Sequence, residues 1–285
     1  MNKRFILLCL GIVALSFFKL NAQVDLSDPL MPVEKKPNFY LGPVLGYNKS
    51  MHTVELKTFA QDPLCPTFVD GSNNGFFAGL SFEYLLGEAE TSNSSIIARL
   101  LYNNLPASME QNDLDLPTRV ISISGRDTVE TIEYTSIIHK NEVKYDLVTF
   151  EVMYKFNPIQ GNGFGLTVGP TFDFALVKTQ EQTMNLIRPL NAQFRRDPNA
   201  DAKGYKYTNN DRTIVIQDGD IPNSSAFRLG LKFGVQYEVL MKGGMYIVPA
   251  VFYNFGVTNL NSDFDWRVNA LQIGVDLRFS FVSLF

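Results

Sequence analysis

The chain has 285 residues, including 23 Phe and 12 Tyr, and its formal net charge is −4. An acidic balance argues against nucleic acid as a partner. The length suits a single barrel or sandwich, and the aromatic content favours strands over helices.

The first 22 residues have the features of a secretory signal peptide. Lys3 and Arg4 form a basic start, residues 5–18 are an apolar run, and Ala22 is a small residue at the cleavage point. Fourteen apolar residues are too few to span a bilayer as a helix. We therefore predict a signal peptide over 1–22 and export of the mature chain. Its removal takes away three cations and lowers the formal charge from −4 to −7.

Residues 23–37 are polar and contain three prolines, which predicts a periplasmic leader without regular structure. Cys9 belongs to the predicted signal peptide, so Cys65 is the one cysteine that the mature chain keeps. No internal disulfide is then possible, and we expect a free thiol in a loop.

Residues 38–285 contain eight segments in which apolar and polar residues alternate, the signature of strands with two unlike faces. The segments lie at 39–48, 75–86, 95–104, 143–156, 163–178, 225–240, 245–256 and 268–281. The gaps between them alternate between long (about 26, 38, 46 and 11 residues) and short (about 8, 6 and 4). Outer-membrane barrels have long extracellular loops, short periplasmic turns and an even strand number. We predict an all-β fold, an eight-stranded antiparallel transmembrane barrel of the outer membrane.

One face of these segments is apolar and aromatic, and this face is predicted to meet lipid. Phe39 and Tyr47 are eight residues apart, as are Phe76 and Tyr84. Eight residues of tilted strand cover about 20 Å, most of an apolar band about 25 Å tall. The aromatic residues therefore suit the girdles at its two edges.

The opposite face carries ten charges and many glycines. A sandwich core would not accept ten charges, because each unpaired one costs several kcal/mol. An eight-stranded barrel is just wide enough for side chains to fill, and five acids can pair there with five bases. The predicted lumenal charges are Glu83, Arg99, Glu151, Lys155, Asp173, Arg228, Lys232, Glu238, Asp276 and Arg278.

The last segment resembles the terminal-strand signal that the barrel-insertion machinery reads. That signal has a polar residue, a glycine and two apolar residues at fixed spacing. Here we assign those positions to Gln272, Gly274, Leu277 and Phe279.

Two groups of motifs resemble a known family. The run Cys65-Pro66-Thr67-Phe68-Val69-Asp70-Gly71, followed by Gly75-Phe76-Phe77-Ala78-Gly79, is similar to a Cys-Pro-x-Phe loop and the strand after it. Later motifs are Asp220-Ile221-Pro222, Pro249, Tyr253, Thr258-Asn259 and Trp266-Arg267-Val268-Asn269-Ala270-Leu271. Together they resemble the PorT-like outer-membrane barrels, within the broader OmpA/OmpX type, over residues 38–285. The resemblance implies a small membrane barrel and, for some members, a link to a protein-secretion apparatus.

The chain departs from that family at two positions. Ala250 follows Pro249 where Glu is common, and Gln272 stands where Arg is frequent. An interior ion pair that the family would place there is therefore expected to be absent.

Catalytic and metal-binding motifs are weakly represented. His52 and His139 are the two histidines, and we expect them in separate long loops with no nucleophile brought beside them. Residues 197–201 match the first positions of a calcium loop, but Ala202 replaces its glycine and Thr208 its final Glu. We predict no enzyme activity, no cofactor and no metal.

Two long gaps suggest contact surfaces. Residues 119–130 read as strand, turn and strand, a hairpin that would extend the barrel wall and offer an edge for strand addition. The third long gap is rich in Arg and Lys, which could meet anionic lipopolysaccharide, but a solvated loop is the better explanation. Expected partners are outer-membrane lipid and lipopolysaccharide, the insertion machinery and a protein at the extracellular loops.

The predicted function is that of a non-enzymatic structural or interaction barrel in the outer membrane of a Gram-negative-type cell. A narrow channel or small-ligand transporter of the OmpW kind is the first alternative. An assembly factor for secretion is the second, and a proteolytic or lipid-modifying barrel is the third.

Overall fold

The computed structural model describes residues 38–57, 67–87, 91–124, 127–159, 161–241, 244–263 and 265–280. The predicted signal peptide, the predicted leader and Cys65 lie outside these ranges. The described residues contain thirteen strands and one short helix, α1 (Ala200–Lys203). The strands are β1 (Phe39–Lys57), β2 (Thr67–Leu85), β3 (Ser94–Asn104), β4 (Ala107–Ser124), β5 (Asp127–Phe156), β6 (Phe164–Arg188), β7 (Ala192–Phe194), β8 (Lys206–Thr208), β9 (Thr213–Asp220), β10 (Phe227–Tyr237), β11 (Val239–Leu240), β12 (Tyr246–Gly256) and β13 (Arg267–Ser280).

Eight of these strands form a closed antiparallel ring. The order is β1, β2, β3, β5, β6, β10, β12 and β13, and β13 pairs with β1 to complete it. Tyr47, for example, lies opposite Phe76 on β2 and Ile273 on β13. Closure leaves the ring with no free edge. The predicted eight-stranded barrel is confirmed, and each predicted segment is one strand of the ring.

The ring has two different ends. At its turn end β2 joins β3, β5 joins β6, and β10 joins β12 through short connections. The four longer connections leave from the opposite end, the loop end. β1 starts and β13 finishes at the turn end, as expected for an even number of strands.

The outer surface of the ring is an apolar band between two rows of aromatic residues. At the turn end Phe39 packs on Tyr84 with 4.8 Å between ring centroids. At the loop end Phe76 lies 5.6 Å from Tyr102, and Phe174 lies 5.2 Å from Phe227. Exposed apolar side chains fill the space between the rows, including those of Leu45, Leu80, Leu100, Phe150, Leu166, Val168, Leu231, Phe233, Val235 and Val251. An apolar surface that circles the ring suits lipid and not water.

Several strands continue past the loop-end aromatic row and form a second layer of structure, the loop-end lobe. The loop-end parts of β5 and β6 remain paired there. On one side β4 pairs with β5, and β7 pairs with β4. On the other side β9 pairs with β6, and β8 pairs with β9. The second and third long gaps were predicted as loops around one hairpin, and this was wrong for most of their length. Strand pairing satisfies the backbone groups that a long compact loop would leave unpaired. The hairpin predicted at 119–130 is present as β4 and β5.

Two apolar clusters close the loop end. The first, the apolar plug, lies inside the ring and contains Val54, Phe68, Leu105, Ala107, Met109, Val143, Tyr145, Leu147, Ile221, Leu260, Trp266, Val268 and Ala270. The second lies within the lobe and contains Val120, Ile137, Leu186, Ala192 and Phe194. The second cluster gives the lobe a core of its own.

Two smaller features complete the fold. The strand predicted to reach residue 240 ends at Tyr237, and Val239–Leu240 pair separately with β12 as β11. Within the described ranges, the helical part of the chain is too short and too polar to cross a bilayer.

Candidate functional site

All ten predicted lumenal charges point into the ring. Nine of them are almost completely buried, and the side chain of Glu238 at the turn-end mouth is 20% exposed. Alternation along the strands places them there, because every second residue of a closed ring faces the interior. They meet in a nearly continuous network of ion pairs.

The turn-end part of the network is centred on two cations. Lys155 Nζ lies 2.5 Å from Glu83 Oε1 and also contacts Glu238. Arg278 pairs with Glu83, with Glu238 at 3.4 Å and with Asp276 at 3.0 Å. A cavity of about 110 Å³ opens among these groups, and Tyr40 and Tyr246 also line it.

The middle of the lumen continues the alternation of charge. Arg99 Nη2 donates to Asp276 Oδ2 at 3.1 Å, and Arg99 Nη1 lies 4.0 Å from Glu151 Oε2. The other oxygen of Glu151 accepts a hydrogen bond from Lys232 Nζ. The Phe252 ring packs against both cations, 4.8 Å from the Arg99 guanidinium and 5.5 Å from the Lys232 ammonium. Each charge is thus offset by a partner and screened from lipid by the wall.

Nearest the plug, Arg228 and Asp173 form a separate pair. Arg228 Nε and Nη2 donate to Asp173 Oδ2 at 2.8 and 2.5 Å, and Nη1 donates to the Val268 carbonyl at 2.5 Å. Thr149 Oγ1 donates to the other Asp173 oxygen at 2.6 Å. The buried pair is therefore held by several hydrogen bonds, the condition under which buried ions are tolerated.

A layer of amides replaces the ion pair that the family resemblance would place in the wall. Gln272 Nε2 donates to Asn48 Oδ1 at 2.7 Å and to Asn103 Oδ1 at 3.2 Å. Ala250 packs in an apolar group with Ile97, Met153 and Phe252. On β12, Phe252 lies opposite Gln272, and Ala250 is the next residue on the same inward face. Gln272 and Ala250 thus make neutral contacts in place of an ion pair.

The four residues of the predicted insertion signal lie on β13 and divide between its faces. Gln272 is buried in the lumen, and Gly274 lies opposite Gly46 on β1. Leu277 and Phe279 stand on the other, lipid-facing side. Gly274 also has a packing role, because a Cβ there would lie 2.5 Å from the Phe77 ring. Recognition by the insertion machinery stays a prediction.

His52 packs against the apolar plug and hydrogen-bonds two of its residues. Its Nε2 lies 3.0 Å from the Leu105 carbonyl oxygen, and its Nδ1 accepts from Trp266 Nε1 at 3.2 Å. Both ring nitrogens are occupied, so His52 is the neutral Nε2–H tautomer. It lies five residues past Tyr47, outside the aromatic-bounded band, and burial lowers its pKa to about 3.

His139 lies away from His52, on the inner face of β5 in the lobe. Asp113 lies beside it, with 3.4 Å between His139 Nε2 and Asp113 Oδ2. Burial lowers the pKa of His139, against the attraction of that carboxylate. Among the described residues, neither histidine hydrogen-bonds a serine, threonine or cysteine, so no nucleophilic dyad is formed.

The calcium-like run and the basic stretch of the third long gap are mostly paired within the protein. Asp197 accepts from Lys203 Nζ at 2.5 Å and from the Asn199 amide at 2.9 Å, which occupies its oxygens. Arg196 binds Asp211 through two hydrogen bonds of 2.8 Å. Across the ranges that the structure covers, no three His, Cys, Asp or Glu side chains cluster for a metal.

Arg212, one of the cations of the third long gap, organises the lobe. Its guanidinium donates to five backbone carbonyls, at distances from 2.6 to 3.2 Å. They belong to Leu186, Ile187, Pro189, Leu190 and Ala192. These contacts fix the connection between β6 and β7.

Some residues of the later motifs lie in the plug. Ile221, Trp266 and Val268 belong to its buried cluster, together with the neighbouring Leu260. The Leu260 amide donates to the Trp266 carbonyl at 2.7 Å, and the Leu229 amide donates to Thr258 Oγ1 at 2.9 Å. Sequence reasoning identified these positions only through resemblance. Trp266 and His52 are 214 residues apart, and nothing in the sequence around either one indicates their contact. The pairing of β1 with β13 brings them together.

No protein-family model matches the sequence, and no curated protein is significantly similar to it. Solved structures that resemble it include Neisserial surface protein A, with 11% identity and a TM-score of 0.35 over 87% of this chain and all of that one. Ail of Yersinia pestis has 10% identity and a TM-score of 0.34, over 84% of this chain and 98% of that one. OprG from Pseudomonas aeruginosa has 14% identity and a TM-score of 0.31, over 86% and 97%. Since these TM-scores are below 0.5, the barrel assignment rests on the closed ring of strands.

Proposed function

We propose that this protein is a non-enzymatic outer-membrane barrel that presents its loop-end lobe to a protein partner outside the cell. The apolar band around the ring supports a membrane location, because such a surface is stable in lipid and not in water. The lobe stands beyond that band and is the part available to another molecule.

The observation that carries the proposal is an apolar surface on the lobe. Ile132 and Tyr134 lie on the outer face of β5 and are 64% and 76% exposed. Tyr134 is sixteen residues beyond Phe150 on the same strand, about 50 Å along an extended chain, so lipid is not expected to cover it. Leu190, at the β6–β7 connection, is 85% exposed. Exposed aromatic and aliphatic anchors are typical of protein interfaces.

A group of charges beside this surface would set the orientation of the partner. Glu130 lies 3.6 Å from Arg119 and 2.9 Å from Arg195. All three side chains are at least 43% exposed, so the two ion pairs between them contribute little to stability. Charges at the rim of an apolar patch typically govern association rate and specificity.

Site-specific photo-crosslinking on intact cells tests this proposal. A photoreactive amino acid in place of Tyr134 should give a discrete adduct with one protein. The matched control is Glu142, which lies on the same outer face of the same strand but nearer the band. Equal adducts from both positions, or no adduct from Tyr134, would contradict a specific contact at the lobe.

A narrow channel is the second candidate, and the polar column of the lumen is the observation that favours it. The apolar plug at the loop end opposes it, because thirteen buried apolar residues leave little room for an ion path. Reconstitution into planar bilayers separates the two proposals. The interaction barrel predicts no steady conductance, whereas regular open events would favour the channel.

The PorT resemblance would place the partner in a protein-secretion apparatus. Several of its motif residues, among them Phe68, Ile221 and Trp266, lie in the plug, which suits a shared scaffold and does not identify the partner. Deletion of the gene followed by analysis of exported proteins tests this version. Normal export with a lobe adduct still present would keep the interaction barrel and remove the secretion role.

A further inference from the structure

One edge of the hairpin formed by β4 and β5 has no neighbouring strand. β6 pairs with β5 only as far as Ser136 and ends at Arg188, so residues 127–135 of β5 pair with β4 on one side alone. Within the described ranges, no strand pairs with their second side. An edge of this kind presents unpaired backbone N–H and C=O groups to other molecules.

The pairing with β4 identifies the residues whose backbone groups point outward along this edge. Ile123 on β4 donates its N–H to the Asn191 carbonyl at 2.8 Å, away from β5. Thr128 lies opposite Ile123, so the two form a non-hydrogen-bonded pair and the backbone groups of Thr128 also point away from the hairpin. The same holds for every second residue after it, because the pairing of residues 127–135 has no register shift. The open edge therefore consists of Thr128, Glu130, Ile132 and Tyr134.

The other edge of the hairpin, on β4, is protected. Pro117 lies opposite Tyr134, so the N–H that it lacks would have pointed outward. The pairing also shifts register between Asp113 and Leu116, and β7 covers residues 120–122. Proline, bulges and covering strands are common means by which proteins prevent pairing at an edge. The β5 edge has none of these, because residues 127–135 contain no proline and no register shift.

The side chains of the open edge favour one kind of strand. Residues 127–135 contain three acids, Asp127, Glu130 and Glu133, and no base. A second copy of this edge would bring like charges together, which destabilises strand pairing. A segment that carries basic and apolar side chains would instead meet opposite charge and cover the exposed Ile132 and Tyr134.

We propose that residues 127–135 of β5 bind an extended, basic and apolar segment of the partner protein as an added β-strand. This inference rests on the proposed contact at the lobe and specifies how that contact is made. Backbone hydrogen bonds to the open edge supply affinity, and the alternating side chains supply specificity.

Photo-crosslinking from position 134 on intact cells, combined with a second change at Glu130, tests the mode of binding. Glu130→Pro removes the carboxylate and an outward N–H, whereas Glu130→Ala removes the carboxylate alone. A missing N–H leaves an acceptor of the added strand without a partner. Glu130→Pro should therefore lower the adduct yield about fivefold or more relative to Glu130→Ala. Glu133→Lys should also lower the yield, because it repels a basic segment.

A disulfide across the hairpin checks that each variant keeps its fold. Cα atoms of a non-hydrogen-bonded pair are about 4.5 Å apart, within the range of a disulfide. Ile123→Cys with Thr128→Cys, in a Cys65→Ser background, should therefore form this bond in Glu130→Pro and in Glu130→Ala alike. A lower adduct yield in Glu130→Pro with the disulfide formed supports strand addition.

The other outcomes separate this inference from the proposed function. Equal adduct yields in Glu130→Pro and Glu130→Ala would keep the lobe contact and overturn strand addition. An adduct with the mass of two copies of this chain would replace the partner with self-association, and a higher yield in Glu133→Lys would contradict a basic segment. No adduct from position 134 in the protein without a second change would overturn both the inference and the proposed contact.

Discussion

Glu151 shows what one buried charge does in this lumen. It accepts a hydrogen bond from Lys232 and faces Arg99, and all three side chains are almost completely buried. Removing one partner of such a pair leaves an uncompensated charge, which costs about 3–5 kcal/mol when water is excluded. We therefore expect Glu151→Leu to lower the free energy of unfolding by an amount of that order, measured by denaturant titration in micelles.

Two comparisons isolate the effect of charge. Glu130→Leu changes an exposed lobe residue and should shift stability by less than about 1 kcal/mol. The double change Glu151→Leu with Lys232→Leu removes both charges and should recover much of the loss. If Glu151→Leu proves as stable as wild type, the lumen is hydrated and the side chains do not depend on one another.

His52 makes stability depend on pH in a predictable direction. Its pKa falls from an ordinary 6.5 to about 3 through burial, with Arg228 adding to the effect. Below pH 6.5 the unfolded chain binds a proton here that the folded barrel excludes. The stability that the barrel gains from burying neutral His52 is therefore fully present above pH 6.5, and it is lost as the pH falls towards 3. Protonation would also remove the acceptor for Trp266.

Unfolding midpoints measured at pH 7.5 and pH 5 check this. Wild type should be less stable at the lower pH, and His52→Gln should reduce the difference while keeping a polar side chain. His139 shifts in the same direction, so some dependence should remain in the variant. An unchanged pH difference in His52→Gln would rule out His52 as its source.

At the scale of elements, β1 and β13 pair to close the ring, and two glycines lie opposite each other in this pairing. Gly46 lies opposite Gly274, and a Cβ on Gly274 would lie 2.5 Å from Phe77 Cζ and 2.7 Å from the Leu45 carbonyl oxygen. The buried Phe77 ring occupies the space that the two glycines leave. This close approach explains why an aromatic residue fits inside the narrow ring at this point.

Gly274→Ala should therefore destabilise the barrel by about 1–3 kcal/mol through overpacking. The matched control is Gly165→Ala on β6, where a Cβ would meet only flexible side-chain atoms at 3.3 Å. Refolding of both variants into micelles, followed by heat unfolding, measures the difference without the insertion machinery. Equal midpoints would mean that Phe77 moves aside at little cost.

The whole molecule is predicted to sit with its lobe outside the cell and its turn end in the periplasm. Single cysteines placed at Lys206 in the lobe and at Asn162 in the β5–β6 turn, in a Cys65→Ser background, test this. An impermeant maleimide on intact cells should label the first and spare the second. Labelling of the turn position alone would invert the topology, and labelling of both only after lysis would contradict surface exposure.

The sequence alone determined the ring. Alternation with period two placed the ten charges on one face and the aromatic residues on the other, because side chains of a strand alternate whatever its partners are. The order of long and short gaps then predicted the eight-stranded closure. These are local properties, and they predicted the eight ring strands correctly despite errors at their ends.

Only the tertiary structure decided which charges pair, and it also revealed the lobe and the plug. Glu83 meets Arg278 across 195 positions of sequence, and His52 meets Trp266 across 214. Such contacts depend on the stagger of neighbouring strands. The hydrophobic pattern constrains the face on which a side chain lies, but it does not select its partner across the lumen. Likewise β4, β7, β8 and β9 carry a weaker alternation, since they pair in the lobe, where lipid does not demand an apolar face.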